Sequence, residues 1–326
     1  MTALLLALLL LPDDRKNVDA ACPLDGHKFV AIEIVTTNEW GGVDRDFCRH
    51  AYKTRPMEFY VWVCPKCGFA GKKKDFGSAL ADEAKGKLRA GLKPAVTLRP
   101  GMKQTDIPGW AKYDLLAQVR TILGAPPEEA GKAYLSAAWC WREEGALFLE
   151  DFDEFERLWN SYGLHKTPME LGKKNRADFE LEVARKVQRE LVAEHHKGLN
   201  FILASYLAAY LFRRHGENGD AKRWLDELAK RTGENSVVDD AAAKMRASME
   251  REQEYQKRAI PGLDQAFAAG TLEKKALGEL AYVLGETQRR LGERARAAEW
   301  YAKAIEVSPD EALRKLATEQ KALVEK

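Results

Sequence analysis

Apolar positions along the chain follow two rhythms. From residue 22 to 78 they fall in short runs: KFVAIEIV (Lys28 to Val35) alternates loosely, TTNEWGGVD is turn-rich, and EFYVWV (Glu58 to Val63) is dense in strand formers. From Ala79 onward they recur at helical spacing in long Ala, Leu, Glu, Lys and Arg segments, broken at LRPGMKQTDIPGW, LGAPPEEAGK, RHGENGD and RTGENS. The pattern predicts a small β module over 22–78 and an all-α region over 79–326. Helices are expected near 79–90, 110–123, 128–146, 151–162, 176–197, 199–215, 218–232, 236–258, 261–269, 272–291, 294–307 and 310–325.

Residues 1–21 stand apart as a hydrophobic leader. The apolar block Ala3 to Leu11 is far short of the ~20 residues a membrane-spanning helix needs. It has the length of a signal-peptide core, with Ala20 and Ala21 as small residues for cleavage, but no Lys or Arg precedes it. Export to the periplasm or cell envelope is expected if the leader is a signal peptide, and a cytoplasmic location otherwise. Over all 326 residues the formal net charge is +2, so no electrostatic pull toward nucleic acid or an anionic membrane follows.

Candidate chemistry concentrates in the cysteines. Cys64 and Cys67 lie in C-P-K-C-G directly after a strand-like run, the arrangement of a zinc knuckle, and Gly68 permits the turn that aims backbone N–H groups at the sulfurs. Upstream, CPLDG repeats the Cys-Pro-x-x-Gly frame with Asp25 where a second Cys is expected, and DRDFC supplies Cys48. The expected zinc ligands are therefore Cys22, Cys48, Cys64 and Cys67, with Asp25, His27 or His50 as substitutes. A redox pair needs a helix after the CxxC, and GFAGKKKDFG has two early glycines and no helical period. Two disulfides are the alternative in an oxidising compartment. A module of this size has little core, which favours a structural metal. Cys140, in AAWCWRE, reads as a small buried hydrophobe.

CPLDGHKF, DRDFC and YVWVCPKCGFAGKKKDF together resemble the bacterial domain-of-unknown-function family 2225. That resemblance implies a Cys-rich module ahead of a helical, often tetratricopeptide-like remainder, and implies no activity.

LAYVLGETQRRLGERARAAEWYAKAIEVSP (Leu280 to Pro309) is close to a tetratricopeptide repeat. Leu284-Gly285 supplies the L-G pair, Ala297, Tyr301 and Ala304 the second helix, and Pro309 its stop. A weaker copy places Ala221 on Ala297, 76 residues apart, leaving room for about two repeats of ~34 residues. The fold class expected is a zinc-ribbon-like β module with a tetratricopeptide-like solenoid. The Arg-Arg pairs 213–214 and 289–290 fall where a concave face would read carboxylates on a ligand. As helix-end charges favoured by the dipole, they have an equally simple account.

No nucleotide-binding, zinc-protease or serine-hydrolase motif occurs. The expected function is non-enzymatic: a zinc-containing module binding a protein or peptide partner. Two further readings are nucleic-acid binding through Lys72, Lys73 and Lys74 beside Phe69 and Phe76, and a zinc hydrolase with an open coordination position.

Overall fold

The computed structural model describes residues 14–38, 41–51, 55–144, 152–166, 168–171 and 176–326; the apolar block of the leader lies outside them. The N-terminal part is three antiparallel hairpins. β1 (Asp14–Ala21) pairs with β2 (Lys28–Thr36), β3 (Gly42–Val43) with β4 (Arg49–His50), and β5 (Trp62–Val63) with β6 (Ala70–Gly71). Each turn carries one cysteine segment: CPLDG, DRDFC and CPKCG. The first hairpin begins eight residues before Cys22, so cleavage at Ala20 or Ala21 would remove β1.

EFYVWV does not form the strand its composition predicts. Pro56–Phe59 is a turn of 3-10 helix with Pro56, Met57 and Phe59 buried, and only Trp62 and Val63 reach a ladder. Proline at the start of that turn fixes a helical φ. The carbonyls a partner strand would have taken go to side chains instead: Met57 O accepts from the Tyr113 hydroxyl (3.2 Å) and Glu58 O from the Lys112 ammonium (2.6 Å).

The rest is helical: α1 (Lys73–Phe76), α2 (Asp82–Gly91), α3 (Gly109–Ile122), α4 (Pro127–Glu144), α5 (Asp153–Ser161), α6 (Pro168–Leu171), α7 (Arg176–Val192), α8 (Leu199–Arg214), α9 (Asn218–Ala229), α10 (Ser236–Ala269), α11 (Lys274–Arg290), α12 (Arg294–Val307) and α13 (Glu311–Val324). Short loops make helical hairpins of α3–α4, α8–α9 and α11–α12. Where two helices were expected, over 236–258 and 261–269, α10 runs through as one of 34 residues with Pro261 inside it, about 50 Å at roughly 1.5 Å per residue. The segment between the two repeat-like copies is therefore one long helix rather than an intervening repeat. Glycines let α10 lie directly on α4: a Cβ on Gly262 would stand 2.6 Å from Pro127 O, and one on Gly131 2.9 Å from the Leu263 side chain. The packing expected within the last copy is present, since a Cβ on Gly285 would meet the Tyr301 ring at 2.7 Å.

The α8–α9 and α11–α12 turns are copies in detail. Gly216 and Gly292 both have positive φ, Glu217 N bonds Phe212 O (2.8 Å) as Glu293 N bonds Gln288 O (2.9 Å), and Trp224 and Trp300 are both buried. The copies also touch. Arg290 donates to the carbonyls of Arg213 and Arg214, and Arg289 to those of His215 and Gly216. The arginines of one turn thus satisfy the last carbonyls of the other helix, which no intrahelical donor can reach.

Cys-rich and helical segments share one core. Cys22, Leu24, Val63, Cys64 and Phe69 pack with Leu88, Ile107, Leu115 and Ala137 from the helical part.

Candidate metal centre

The first and third turns are built alike. In one, Cys22 N bonds His27 O (2.9 Å) and Gly26 N bonds Cys22 O (2.8 Å); in the other, Cys64 N bonds Phe69 O (2.9 Å) and Gly68 N bonds Cys64 O (2.9 Å). Gly26 and Gly68 hold φ of 71° and 78°, a conformation that closes each turn and that glycine adopts without strain. Asp25 is the counterpart of Cys67. Ligand atoms of Cys22, Asp25, Cys64 and Cys67 all lie within 4.8 Å of one another. Cys22 Sγ is 3.5 Å from Cys67 Sγ, and Cys64 Sγ is 3.8 Å from Asp25 Oδ1. Asp25 Oδ1 also accepts the His27 N–H at 3.0 Å, and Lys66 Nζ stands 3.8 Å from Oδ2. The carboxylate is thus oriented by groups outside the cluster.

The sulfurs hold one another's protons. Hydrogen bonds from Cys22 and Cys67 favour the Cys64 thiolate and outweigh its burial. Cys22 is pushed far up by its bonds to Cys64 and Cys67 and by burial. Cys67 is pulled down by Cys22, yet its bond to Cys64 and burial leave it raised to about 12. Three thiolates side by side repel, and a divalent cation is the charge that lets all three ionise together. Three sulfurs and one oxygen are donors of the kind thiophilic metals such as zinc take, whereas magnesium and calcium want oxygen throughout.

Cys48 is not in this group. The structure places it with Asp44 and His50 in the second turn, apart from the other three thiols. That turn points its acids into the helices: Arg142 of α4 donates to Asp44 Oδ2 (2.8 Å) and to Asp46 Oδ2 (2.7 Å) and also to Glu252 Oε1 (2.9 Å). Arg214 stands 3.6 Å from Asp44 and Arg290 3.3 Å from Asp46. His50 lies between Asp44 (2.9 Å) and Glu143 (3.3 Å). Burial disfavours its charged form, but the Asp44 carboxylate outweighs burial and raises His50 well above its usual value. Burial lifts the Cys48 thiol to about 11. With guanidinium groups and a protonated imidazole already facing its carboxylates, this turn is an ion-pair knot and offers poor ground for a metal cation.

Of the expected ligand-reading arginines, Arg213, Arg214 and Arg290 sit in the same knot, and Arg289 is spent on Glu286 and Glu217. Arg213 and Arg290 are each 1% exposed and Arg289 9%, so none forms an open concave face. Arg213 pairs with Glu252 (3.2 Å), and Arg289 with Glu286 (2.8 Å), which also accepts the Tyr301 hydroxyl (2.7 Å). Their carboxylate partners are real but belong to the same chain. Nor do the lysines of the third hairpin stand over open aromatic rings: Phe69 is buried, Phe76 packs edge-on against it and Phe29, and Lys73 bonds Glu33 at 2.7 Å.

One feature went unread in the sequence. A cleft of about 700 Å³ opens between α3, α4, α10 and the loop after α2. Trp110 and Trp141 stack in its wall at 5.0 Å, with Tyr134 and Tyr255 alongside. Its charges are largely paired: Arg258 with Asp114 (2.7 Å), Arg251 with Glu254 (2.8 Å). Tyr255 is buried, with Arg258 over its ring and that of Tyr134, whereas Trp110 and Trp141 are only partly covered. Aromatics recurring on helices read as core in a sequence, and the crossing of α3, α4 and α10 is what leaves the two indoles at the cleft.

Among the described residues, no helix is long and apolar enough to cross a membrane. The family model for an uncharacterised protein conserved in bacteria (DUF2225) matches residues 16–249. No curated protein and no solved structure matches the chain.

Proposed function

The chain belongs to the bacterial DUF2225 family, and from that premise we propose that it is a non-enzymatic zinc protein whose helical body binds a protein or peptide partner. The observation that carries the metal is the pair of matching turns that bring Cys22, Asp25, Cys64 and Cys67 together. Four protein donors fill a tetrahedral site, the mark of a structural rather than a hydrolytic zinc. The centre would clamp the first hairpin to the third, and its sulfurs lie in the core shared with α2, α3 and α4.

The aromatic cleft is the partner site in this reading. Because its charges are mostly spent on one another, and Arg258 also lies over the rings of Tyr134 and the buried Tyr255, what it offers a ligand is the partly buried indoles of Trp110 and Trp141, suited to an aromatic or aliphatic side chain of a peptide.

Metal analysis of protein purified under reducing conditions tests the centre. About one zinc per chain is expected from a four-donor site. Cys22→Ser, Cys64→Ser and Cys67→Ser should lose it, Asp25→Ala should bind it more weakly, and Cys48→Ser and Cys140→Ser should keep it. Absence of metal, or loss on Cys48→Ser, would overturn the assignment. For the cleft, Trp110→Ala and Trp141→Ala should abolish cross-linking to partners captured by the wild type while helical circular dichroism persists; unchanged capture would exclude it.

A further inference from the structure

The metal centre and the cleft share a wall. Gly68 of the third hairpin lies against the 92–98 loop, where a Cβ on it would be 3.2 Å from Pro94 and 3.4 Å from Leu98. The first hairpin reaches the preceding helix, since Arg89 of α2 donates to Leu24 O at 3.1 Å. The same segment then lines the cleft through Gly91, Lys93 and Ala95. Both turns that would hold the metal therefore brace the chain that closes one side of the aromatic pocket.

The thiols also differ in access. Cys22 and Cys64 are buried and Cys67 is half-exposed, and Cys22 Sγ and Cys67 Sγ, 3.5 Å apart, join the two hairpins. With a carboxylate as fourth donor there are only three sulfurs to lose. A single disulfide leaves one thiolate and Asp25, too few and too weak to keep zinc.

We propose that the centre is a thiol switch for the cleft: a peroxide oxidises Cys67, Cys22 resolves it, zinc leaves, and the 91–98 wall is released. The Cys67 thiolate attacks the peroxide O–O bond, giving a sulfenic acid and hydroxide. The Cys22 thiolate then attacks that sulfur, forming the Cys22–Cys67 bond and expelling a second hydroxide. Two electrons pass from the two sulfurs to the peroxide, and zinc departs as the divalent cation. This rests on the zinc assignment made above.

The test uses the full chain, first shown to carry zinc, exposed to hydrogen peroxide. Zinc release is followed with a chromogenic chelator, disulfides are mapped by mass spectrometry, and amide exchange is read over residues 88–98. Expected are release of one zinc per chain, a Cys22–Cys67 bond, and faster exchange across 91–98, all reversed by thiol reductant and zinc. Cys48→Ser/Cys140→Ser should behave as wild type. Zinc retained under peroxide, a bond confined to Cys64 and Cys67, or unchanged exchange in 91–98 after release would each overturn the switch while leaving the zinc assignment standing. A chain that carries no zinc at the outset overturns both.

Discussion

Glu180 shows how much a single buried carboxylate contributes. It is fully enclosed; burial opposes its ionisation, but Arg214, His215 and Arg176 outweigh burial and hold it at about 2. A carboxyl depressed on folding stabilises the native state above its ordinary range, and that contribution disappears as pH falls from about 5 to about 2. The shift corresponds to about 3 kcal/mol. Glu180→Gln should therefore lower stability at pH 7 while shrinking the loss between pH 6 and pH 3, measured by denaturant midpoints. Equal pH slopes in the two proteins would contradict this. At this scale the sequence was readable wherever chemistry is local. CPKCG and CPLDG declare their turns through proline and glycine, and Asp25 stands in the frame position of a cysteine. Cys48 was not readable: DRDFC looks like a ligand segment, and only tertiary placement turns its acids toward Arg142, Arg214 and Arg290. The arginine pairs were legible in what they bind and illegible in whose carboxylates those are.

Among the elements, amphipathic spacing located the helices well, because a helix that buries one face repeats that demand every three to four residues. It failed where a rule about one residue was set against packing. Pro261 usually ends a helix by losing a backbone donor and crowding the preceding turn. Here α10 continues, with Ala259 and Leu263 both buried in the core around Leu135. Gly262→Ala should cost about 1–3 kcal/mol by forcing α10 off α4, since its Cβ would meet a backbone carbonyl that cannot swing aside. Gly219→Ala, with open space at its Cβ, is the control. Comparable thermal midpoints for the two variants would show that the crossing is slack. EFYVWV failed for the opposite reason: strand propensity was present, but α3 supplied donors to the backbone and the ladder was cut short at two residues.

For the whole molecule, the two sequence rhythms suggested a division near residue 78 that the packing does not respect. Cysteine-bearing turns supply sulfurs to the helical core, and the acidic turn supplies counter-ions to arginines on α4, α8 and α11. Removing one side of such a buried pair typically costs 3–5 kcal/mol. If the centre holds zinc, chelation should lower one cooperative thermal transition, with helical circular dichroism and tryptophan fluorescence moving together. A helical signal untouched by chelation would show that the hairpins melt alone. The α11–α13 region closes back on the end of α8 and the start of α9 through Arg289, Arg290 and the Asn218 side chain, which donates to Arg290 O at 2.6 Å. Its covalent link to α10 is only the short stretch Gly270 to Glu273. The last three helices are thus a plug that recognises its socket by hydrogen bonds and burial more than by tether. Cut at that linker and co-expressed, the two fragments should find each other and co-purify, and Arg289→Ala/Arg290→Ala in the smaller one should leave them strangers.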